Sequence, residues 1–262
     1  MDNLVIGNTS QLSYYFPDNY LKISSRNIDF KSLSCKKWNR VFICIGESRK
    51  FLKDDQIYDD VNFHLTIKIV NFLKDISNSI IIYSTCELWN QYDGQVDISM
   101  DFNFYSTSYL QSKYKLSKYI MDNGYSNVFI LYPFNFNSIY RSNDFLFGKI
   151  FDSIVNNKVI EIGDTYYYRD IIHPKYVVES SISADRHMLI GSGRLTFVND
   201  FIRDLYNYYG MDYNEYVIEN YGRFSEYEKR KEYYLRDRIN HYPYVDLLKD
   251  TVMDINKLKN MI

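Results

Sequence analysis

Three short apolar runs, each followed by small or polar residues, restrict the fold of this 262-residue chain more than any other feature. The runs are RVFICIG at 40–46, SIIIYST at 79–85 and NVFILYPF at 127–134. Apolar residues occupy both faces of each run, which is typical of parallel strands that are covered on both sides. Between them lie segments of helical period, such as the stripe formed by Val61, Leu65, Ile69 and Leu73. The alternation predicts an α/β fold with a doubly wound parallel sheet.

Two earlier strands are expected at 3–8 and 20–25, with a short helix over SQLSYYF between them. In doubly wound folds, ligands bind outside the carboxyl ends of the strands. This rule selects residues 7–13, 24–26, 46–48, 84–89 and 133–138. Beyond residue 140 the alternation weakens, so we expect a smaller C-terminal domain there.

Composition and charge exclude several classes of function. A net charge of −2 gives no electrostatic reason to expect a nucleic-acid partner. No stretch approaches the roughly 18 to 20 apolar residues of a membrane span, and the N-terminus lacks the pattern of a signal peptide. The three cysteines are scattered without metal-ligand spacing. We therefore expect a cytoplasmic protein with no metal and no membrane association.

The turn after the first strand, IGNTSQLS at 6–13, stands where a dinucleotide-binding fold needs glycines so that its backbone can approach a pyrophosphate. Gly7 occupies the first glycine position, but Ser10 and Ser13 occupy the second and third. A serine hydroxyl can donate to phosphate, whereas its Cβ narrows the approach. An ordinary strand-to-helix turn is the alternative. The cofactor-binding candidates here are Gly7, Thr9, Ser10, Gln11 and Leu12.

The second strand ends in SSRN rather than in the acidic residue that would bind a ribose 2′-hydroxyl. Ser24, Ser25 and Arg26 instead offer hydroxyls and a guanidinium, which suit a 2′-phosphate. A bound cofactor is therefore expected to be NADP in preference to NAD. The alternative is an arginine that is simply solvated.

The decapeptide YLQSKYKLSK at 109–118 contains two Tyr residues that each precede a Lys by four positions. On a helix, such residues share one face, so the Lys ammonium can lower the pKa of the Tyr hydroxyl toward the range useful for proton transfer. Because the chain has 28 Tyr, the spacing alone does not select Tyr109 with Lys113 over Tyr114 with Lys118.

Five segments taken together carry a resemblance to a known family. They are IIIYSTCELWN (80–90), YLQSK (109–113), ILYPFNFNS (130–138), YYRDIIHPKYV (167–177) and LIGSGRLTFVNDFI (189–202). In order and spacing they resemble the extended short-chain dehydrogenase/reductase family, which includes nucleotide-sugar epimerases, 4,6-dehydratases and 4-keto-sugar reductases. The resemblance implies a Rossmann-type dinucleotide-binding domain over 1–138, with part of the following segment, and a substrate-binding region over 139–262.

The resemblance implies a catalytic role for four residues. Thr85 takes the place of the hydroxyl that bonds the substrate oxygen, and Glu87 that of the side chain that moves a proton beside a transient ketone. Tyr109 and Lys113 lie at the family's distances from Thr85 and from the Pro-Phe-Asn strand end, whereas the second pair lies five residues too far along. Cys86, a substrate-binding candidate, stands where deoxythymidine-type 4,6-dehydratases carry Asp, which disfavours dehydration.

Further positions match less directly. Asn62 matches a helix Asn that supports a proton-relay water, and an ordinary polar helix position is its alternative. Asn135 and Arg169 match residues that face the diphosphate of a nucleotide sugar, while His173 is expected to be structural. The remaining cofactor-binding candidates are Gly46, Lys113 and Pro133.

The sequence thus predicts an NAD(P)-dependent enzyme that acts on a nucleotide-diphosphate sugar. The expected reaction is keto-sugar reduction or epimerisation through C4 redox chemistry, in the synthesis of a surface-glycan sugar, with a homodimer as the expected assembly. One alternative is a catalytically degenerate nucleotide-binding or nucleotide-sugar-binding protein, because two turn glycines are lost and Tyr132 replaces the family's Arg. The others are a sugar dehydratase and a redox regulator that binds NADP without sugar turnover.

Overall fold

A six-stranded sheet dominates the first of two compact units. The computed structural model describes residues 1–49, 52, 54–102, 107–220, 232–236 and 242–261. The strands are β1 (Asp2–Ile6), β2 (Leu21–Ile23), β3 (Trp38–Ile43), β4 (Ser77–Tyr83), β5 (Gly94–Val96), β6 (Val128–Pro133), β7 (Asn135–Phe136), β8 (Ile160–Gly163), β9 (Tyr168–Arg169), β10 (Ile171–Ile172), β11 (Met188–Ile190), β12 (Thr196–Phe197), β13 (Val217–Asn220) and β14 (Tyr233–Leu235).

The helices alternate with the strands through most of the chain. The α-helices are α1 (Phe30–Ser34), α2 (Gln56–Tyr58), α3 (Thr66–Leu73), α4 (Ser108–Asn123), α5 (Leu146–Asn156), α6 (Pro174–Ile182), α7 (Val198–Tyr208), α8 (Tyr213–Tyr216) and α9 (Tyr244–Lys259). A π-helix, Asp59–Leu65, joins α2 to α3, and 3₁₀ helices span Ser13–Tyr15 and Cys86–Trp89.

The main sheet confirms the predicted fold class. Its strand order is β11-β6-β4-β3-β1-β2, and every neighbouring pair is parallel. The carboxyl ends of β1, β3, β4 and β6 therefore lie side by side at one edge. After β1 the chain adds β2 on one side and β3 on the other, so the order reverses between β1 and β3. Such a switch point is where doubly wound sheets bind ligands.

The two units interleave along the chain. The first contains Met1–Gln91, Ile98–Pro133 and Val177–Ile190, and the second contains Tyr92–Asp97, Phe134–Tyr176 and Gly191–Ile262. In the described part of the chain, no helix has the length and apolarity needed to cross a membrane. The same residues include no group of three or more His, Cys, Asp or Glu side chains arranged to hold a metal ion.

The helix expected over SQLSYYF is wrong in extent, because only Ser13–Tyr15 are helical and they form a single 3₁₀ turn. Residues 10–12 form a turn instead of helix. Pro17 explains why the helical turn ends before Phe16: the residue before a proline is driven out of the helical region, and Phe16 is extended at φ −72° and ψ 146°. The Phe16 ring instead packs against Phe42 of β3, with ring centroids 4.6 Å apart.

The buried face of the helical segment 59–73 also differs from the apolar stripe that the sequence predicts. Asn62 and Thr66 are buried there, whereas Val61 and Leu65 are only half-buried. The π-helix accounts for this difference, because its wider turn rotates the buried face relative to regular α-helical period. Such insertions occur often at functional sites, and this one brings an amide side chain into the interior.

The second unit is built from short strand pairs, β7 with β10, β9 with β12, β8 with β13 and β5 with β14. A buried carboxylate, Asp170, holds two of its segments together. Its oxygens accept hydrogen bonds from the amides of Ser192 (2.8 Å), Gly193 (3.1 Å) and Leu235 (3.2 Å), and from the Ser192 hydroxyl (2.7 Å). Burial raises the pKa of Asp170, and the four donors oppose that shift.

We predict that Asp170→Ala lowers the free energy of unfolding by about 3 kcal/mol, because it leaves several buried donors without an acceptor. Urea unfolding at neutral pH measures the loss. Asp170→Asn keeps one acceptor oxygen and should lose less, and Asp185→Ala, at an exposed position, should lose almost nothing. Equal stability of Asp170→Ala and the native chain would contradict this role.

Candidate active site

The switch point of the sheet is lined by two glycines. Gly7, directly after β1, has φ +102°, and a Cβ built on it would lie 2.6 Å from the carbonyl oxygen of Cys44. Only glycine fits this position without strain. Gly46 follows β3, and a Cβ there would lie 3.2 Å from Lys113 Nζ and 3.4 Å from Asn62 Oδ1. A side chain on Gly7 would therefore strike the backbone after β3, whereas a side chain on Gly46 would crowd Lys113 and Asn62.

Some polar groups of the turn after β1 form hydrogen bonds within the turn itself. The Ser13 hydroxyl donates to the carbonyl oxygens of Ser10 (2.7 Å) and Asn8 (2.8 Å), so it stabilises the turn. The amides of Thr9, Gln11 and Leu12 have no acceptor among the residues that the structure describes. Successive unpaired amides in a turn are suited to an anion. The sequence-based role of Thr9, Gln11 and Leu12 stays a prediction, and Ser13 is excluded as a phosphate donor in this arrangement.

Lys113 is a buried cation at the carboxyl end of β4. It is 5% exposed, and its Nζ donates to the carbonyl oxygen of Tyr83, 3.2 Å away. Within the described ranges no carboxylate pairs with it, and burial lowers the pKa of Lys113 to about 8. A buried ammonium without a counter-ion is costly, and such groups are concentrated at functional sites.

Asn62 links the loop after β3 to helix α4. Its Oδ1 accepts from the amide of Glu47 (2.8 Å), and its Nδ2 donates to the Glu47 carbonyl (3.1 Å) and to Ser112 Oγ (3.0 Å). Ser112 in turn donates to the carbonyl oxygen of Tyr109 (2.7 Å). Sequence reasoning missed Ser112, and it selected the 46–48 segment without giving Glu47 a role. The sequence offered one signal, since Ser112 lies three residues after Tyr109 and adjoins Lys113.

Tyr109 lies in the first turn of α4 and is half-buried. Its ring meets that of Tyr58 edge to face, with centroids 6.2 Å apart, and the Tyr58 hydroxyl bonds the carbonyl oxygen of Arg49. Thr107 caps the helix by accepting from the Leu110 amide (3.3 Å), which fixes the start of α4. Tyr109 thus precedes Lys113 by one turn on a helix that runs from the carboxyl edge of the sheet.

The second half of the tandem motif has a different environment. Lys118 is exposed and forms an ion pair with Asp122 one turn later, at 3.0 Å, which raises its pKa. The Tyr114 ring packs edge to face on Phe102, with centroids 5.6 Å apart. The structure therefore buries the ammonium of only one of the two predicted pairs.

A 3₁₀ helix follows β4. Thr85 is its N-terminal cap, and Cys86 and Glu87 are its first two residues. Thr85 Oγ1 accepts from the Glu87 amide at 3.2 Å, so the side chain caps this helix and its hydroxyl hydrogen is still available to a ligand oxygen. The Cys86 side chain is buried, and Glu87 is half-buried. The burial of Cys86 gives no support to its predicted contact with substrate.

The other cofactor candidates lie at the same edge of the sheet. Ser24, Ser25 and Arg26 follow the outermost strand β2, and the Arg26 amide donates to Ser24 Oγ (3.2 Å). Arg26 is exposed, and its guanidinium has no carboxylate partner in the described part of the chain. Pro133 ends β6 and is buried, as is Tyr132, whose ring lies against Trp89.

The two remaining substrate candidates belong to the second unit. Asn135 begins β7 and is half-buried. Arg169 stacks its guanidinium on the Tyr167 ring, 4.6 Å from the centroid, and donates to the Tyr168 carbonyl. His173 is buried against Asp254, with 3.0 Å between Nε2 and Oδ2, which is a structural arrangement.

Comparison with solved structures identifies the fold. A UDP-glucose 4-epimerase with UDP-glucose from Thermotoga maritima is 15% identical, with a TM-score of 0.78 over 98% of this chain and 99% of that chain. MoeE5 in complex with UDP-glucose and NAD is 14% identical, with a TM-score of 0.77 over 98% and 99%. RMD from Pseudomonas aeruginosa complexed with NADPH is 13% identical, with a TM-score of 0.74 over 98% and 100%.

The fold is that of the extended short-chain dehydrogenases/reductases. No protein-family model and no curated protein matches the sequence. The short-chain dehydrogenase/reductase likeness therefore rests on three-dimensional structure and on the few residues at the carboxyl edge of the sheet. At such identities, chain topology persists after most side chains have changed.

We predict that Lys113→Met raises the free energy of unfolding at pH 7, on the order of 3 kcal/mol, because it removes an ammonium whose pKa falls from 10.5 to about 8 on folding. Between pH 8 and 10.5 the unfolded native chain binds more protons than the folded one, so its stability rises with pH. The difference in free energy of unfolding between Lys113→Met and the native chain should therefore decrease from pH 8 to pH 10.5. Urea unfolding at pH 7, 9 and 10.5 measures it.

Lys118→Met is the matched control, because Lys118 is exposed and its pKa is raised rather than lowered. Lys118→Met should not raise the free energy of unfolding at pH 7. Its difference in free energy of unfolding from the native chain should also not narrow toward pH 10.5. A Lys113→Met variant that is less stable than the native chain at pH 7 would show that the ammonium stabilises the fold, contrary to this account.

Proposed function

We propose that the chain is an NAD(P)-dependent enzyme that oxidises or reduces a carbon of a nucleotide-diphosphate sugar. The observation that carries the proposal is the buried Lys113, which pairs with no carboxylate among the described residues and lies one helical turn after Tyr109, beside Gly46 at the sheet's switch point. The similar structures support the ligand class, since MoeE5 is in complex with UDP-glucose and NAD and RMD with NADPH. The finer proposal is a keto-sugar reductase or epimerase that acts at C4.

The residues present fit the nicotinamide end of a dinucleotide cofactor better than they fit its phosphate end. At the nicotinamide end, Gly46 places no side chain beside Lys113 Nζ, and the ammonium is proposed to donate to ribose hydroxyls there. At the phosphate end, Gly7 and the amides of Thr9, Gln11 and Leu12 can meet a pyrophosphate, but a single 3₁₀ turn supplies little helix dipole. Arg26 suits a 2′-phosphate, so NADP is proposed in preference to NAD.

The cofactor, when bound, supplies or accepts the hydride at the sugar carbon. In the proposed reaction the Tyr109 hydroxyl exchanges a proton with the C4 oxygen, and the positive charge of Lys113, one turn later on α4, favours the deprotonated form of the donor. The Thr85 hydroxyl oxygen accepts a hydrogen bond from the Glu87 amide. Its hydrogen is proposed to donate to the C4 oxygen of the sugar. The Asn62 side chain holds the loop that carries Gly46 against α4 and so keeps these groups in register.

Glu87 decides between the proposed reactions. A ketone at C4 acidifies the neighbouring C–H bonds, and a half-buried carboxylate beside it can remove and return a proton, which gives epimerisation. Without that transfer the carbons beside C4 keep their configuration, and hydride transfer at C4 gives reduction of the ketone or, when hydride returns to the opposite face, inversion at C4. Dehydration is disfavoured, because buried Cys86 stands at the position of the dehydratase acid. We further propose a cytoplasmic homodimer that serves synthesis of a surface-glycan sugar.

A second candidate function is a nucleotide-sugar-binding or nucleotide-binding protein without turnover. The shortened phosphate turn favours it, because Pro17 ends the helix and the Ser13 hydroxyl is used inside the turn. The buried Tyr132, in place of the family's Arg, also favours it. The burial of Lys113 opposes it, since an ammonium without chemistry would be replaced by an apolar side chain at a gain in stability.

We predict that Tyr109→Phe lowers turnover by at least about 100-fold while cofactor binding stays within about twofold, because only the proton donor is removed. NADPH oxidation with UDP-4-keto-glucose, and interconversion of UDP-glucose with its C4 epimer, measure turnover. Tyr114→Phe is the matched control and should keep native rates. Loss of turnover in Tyr114→Phe with retention in Tyr109→Phe would reverse the assignment.

We predict that Arg26→Ala weakens NADPH binding about tenfold and leaves NADH binding unchanged, because the guanidinium contacts only the 2′-phosphate. Fluorescence titration of each cofactor measures the two dissociation constants. Lys31→Ala, which removes a positive charge from α1, controls for a general electrostatic effect. A parallel loss of NADH affinity would assign Arg26 to another part of the cofactor or to the fold.

A further inference from the structure

We propose that Tyr114, the second tyrosine of the tandem motif, is a positioning residue that fixes the segment carrying Thr85 and Glu87 against helix α4. This inference deepens the proposed function and rests on it only for the catalytic consequence. Tyr114 acts through its ring rather than through its hydroxyl. The observation that carries the proposal is an unbroken series of aromatic contacts inside the first unit.

The series, called here the aromatic ladder, consists of Tyr132, Trp89, Phe102 and Tyr114. Tyr132 on β6 meets Trp89 edge to face with centroids 4.9 Å apart, and Trp89 meets Phe102 at 5.3 Å. Phe102 meets Tyr114 on α4 at 5.6 Å. Each contact has the near-perpendicular geometry that aromatic quadrupoles favour, which makes it more stabilising than burial alone.

Trp89 is the central member of the ladder because it ends the 3₁₀ helix that begins with Cys86 and Glu87. Its side chain is fully buried, and its Nε1 donates to the carbonyl oxygen of Met100 (2.7 Å). Gln91 donates in the same direction, to the carbonyl oxygen of Asp101 (2.9 Å). The 3₁₀ helix is therefore held between β6 on one side and the 100–102 segment on the other.

Tyr114 closes this arrangement onto the helix that carries Tyr109 and Lys113. The contacts of α4 with the rest of the sheet edge lie elsewhere: Ser112 meets Asn62, Lys113 meets the Tyr83 carbonyl, and Ser117 meets Ser84. Helix α4 also lies next to the 3₁₀ helix directly. The Tyr114 ring, through Phe102, adds an aromatic side-chain connection from the helix of the proton-transfer pair to Trp89 at the end of the 3₁₀ helix.

The ladder predicts a distinctive pattern of substitutions. Tyr114→Phe keeps the ring and should behave like the native chain, whereas Tyr114→Ala removes the last member. Tyr119→Ala is the matched control. Tyr119 also lies on α4 and is half-buried, as Tyr114 is, but its ring packs on Phe63, with centroids 5.8 Å apart, and not on Phe102. A loss of helix stability alone would appear in both alanine variants.

Hydrogen exchange of the full chain, followed by mass spectrometry without added ligand, tests the positioning directly. Tyr114→Ala should accelerate exchange at least about tenfold at the amides of residues 87–90, which bond within the 3₁₀ helix. The β3 and β4 amides should keep native rates, as should residues 87–90 in Tyr114→Phe and Tyr119→Ala. Native exchange at residues 87–90 in Tyr114→Ala, or equal acceleration in Tyr119→Ala, would overturn the proposal.

Turnover with UDP-4-keto-glucose and NADPH tests the catalytic consequence separately. Tyr114→Ala should lower kcat at least about tenfold with the NADPH dissociation constant unchanged, and Tyr114→Phe should restore kcat. An unchanged kcat in Tyr114→Ala would overturn the positioning role. If the native chain itself shows no turnover, the proposed function fails, and hydrogen exchange alone decides whether the ladder holds residues 87–90.

Discussion

Burial of the Lys113 ammonium is the interaction around which this sheet edge is organised. The group loses its hydration and gains one carbonyl, that of Tyr83, so its presence opposes folding rather than favouring it. The neighbouring features make sense as consequences: Gly46 leaves room beside Nζ, and Asn62 ties the Gly46 loop to α4. A local departure from the best stability is the physical mark of a site that binds or transforms a ligand.

The sheet also explains why a chain of modest length can build such a site. Its order places β2 at the border and sends the chain directly across β1 to β3, which is the 2-1-3-4-5 type of doubly wound sheet. The first helix is reduced to one turn, and the Phe16 ring covers part of β3 in its place. The shortening falls on the turn after β1, where the phosphate end of the cofactor is proposed to lie, whereas α4, which carries Lys113, has 16 residues.

Sequence periodicity predicted the parallel sheet because each main strand is apolar on both faces, a pattern that survives without any tertiary information. It could not predict the π-helix, since an inserted residue leaves no trace in a stripe such as Val61, Leu65 and Ile69; only the structure shows Asn62 turned inward. The early end of the first helix was readable from Pro17. The pair of β5 with β14 was not, because it joins two three-residue strands that lie far apart in the chain.

The central claim is that the cleft beside Gly46 and Lys113 binds a nicotinamide cofactor, and fluorescence titration with NADPH tests it most directly. The native chain should enhance NADPH emission with a dissociation constant on the order of 10 μM, about −7 kcal/mol. Gly46→Leu, whose Cβ would lie 3.2 Å from Lys113 Nζ, should abolish the enhancement while the chain remains folded by circular dichroism. No binding of NADPH or NADH to the native chain, or equal binding by folded Gly46→Leu, would contradict the account.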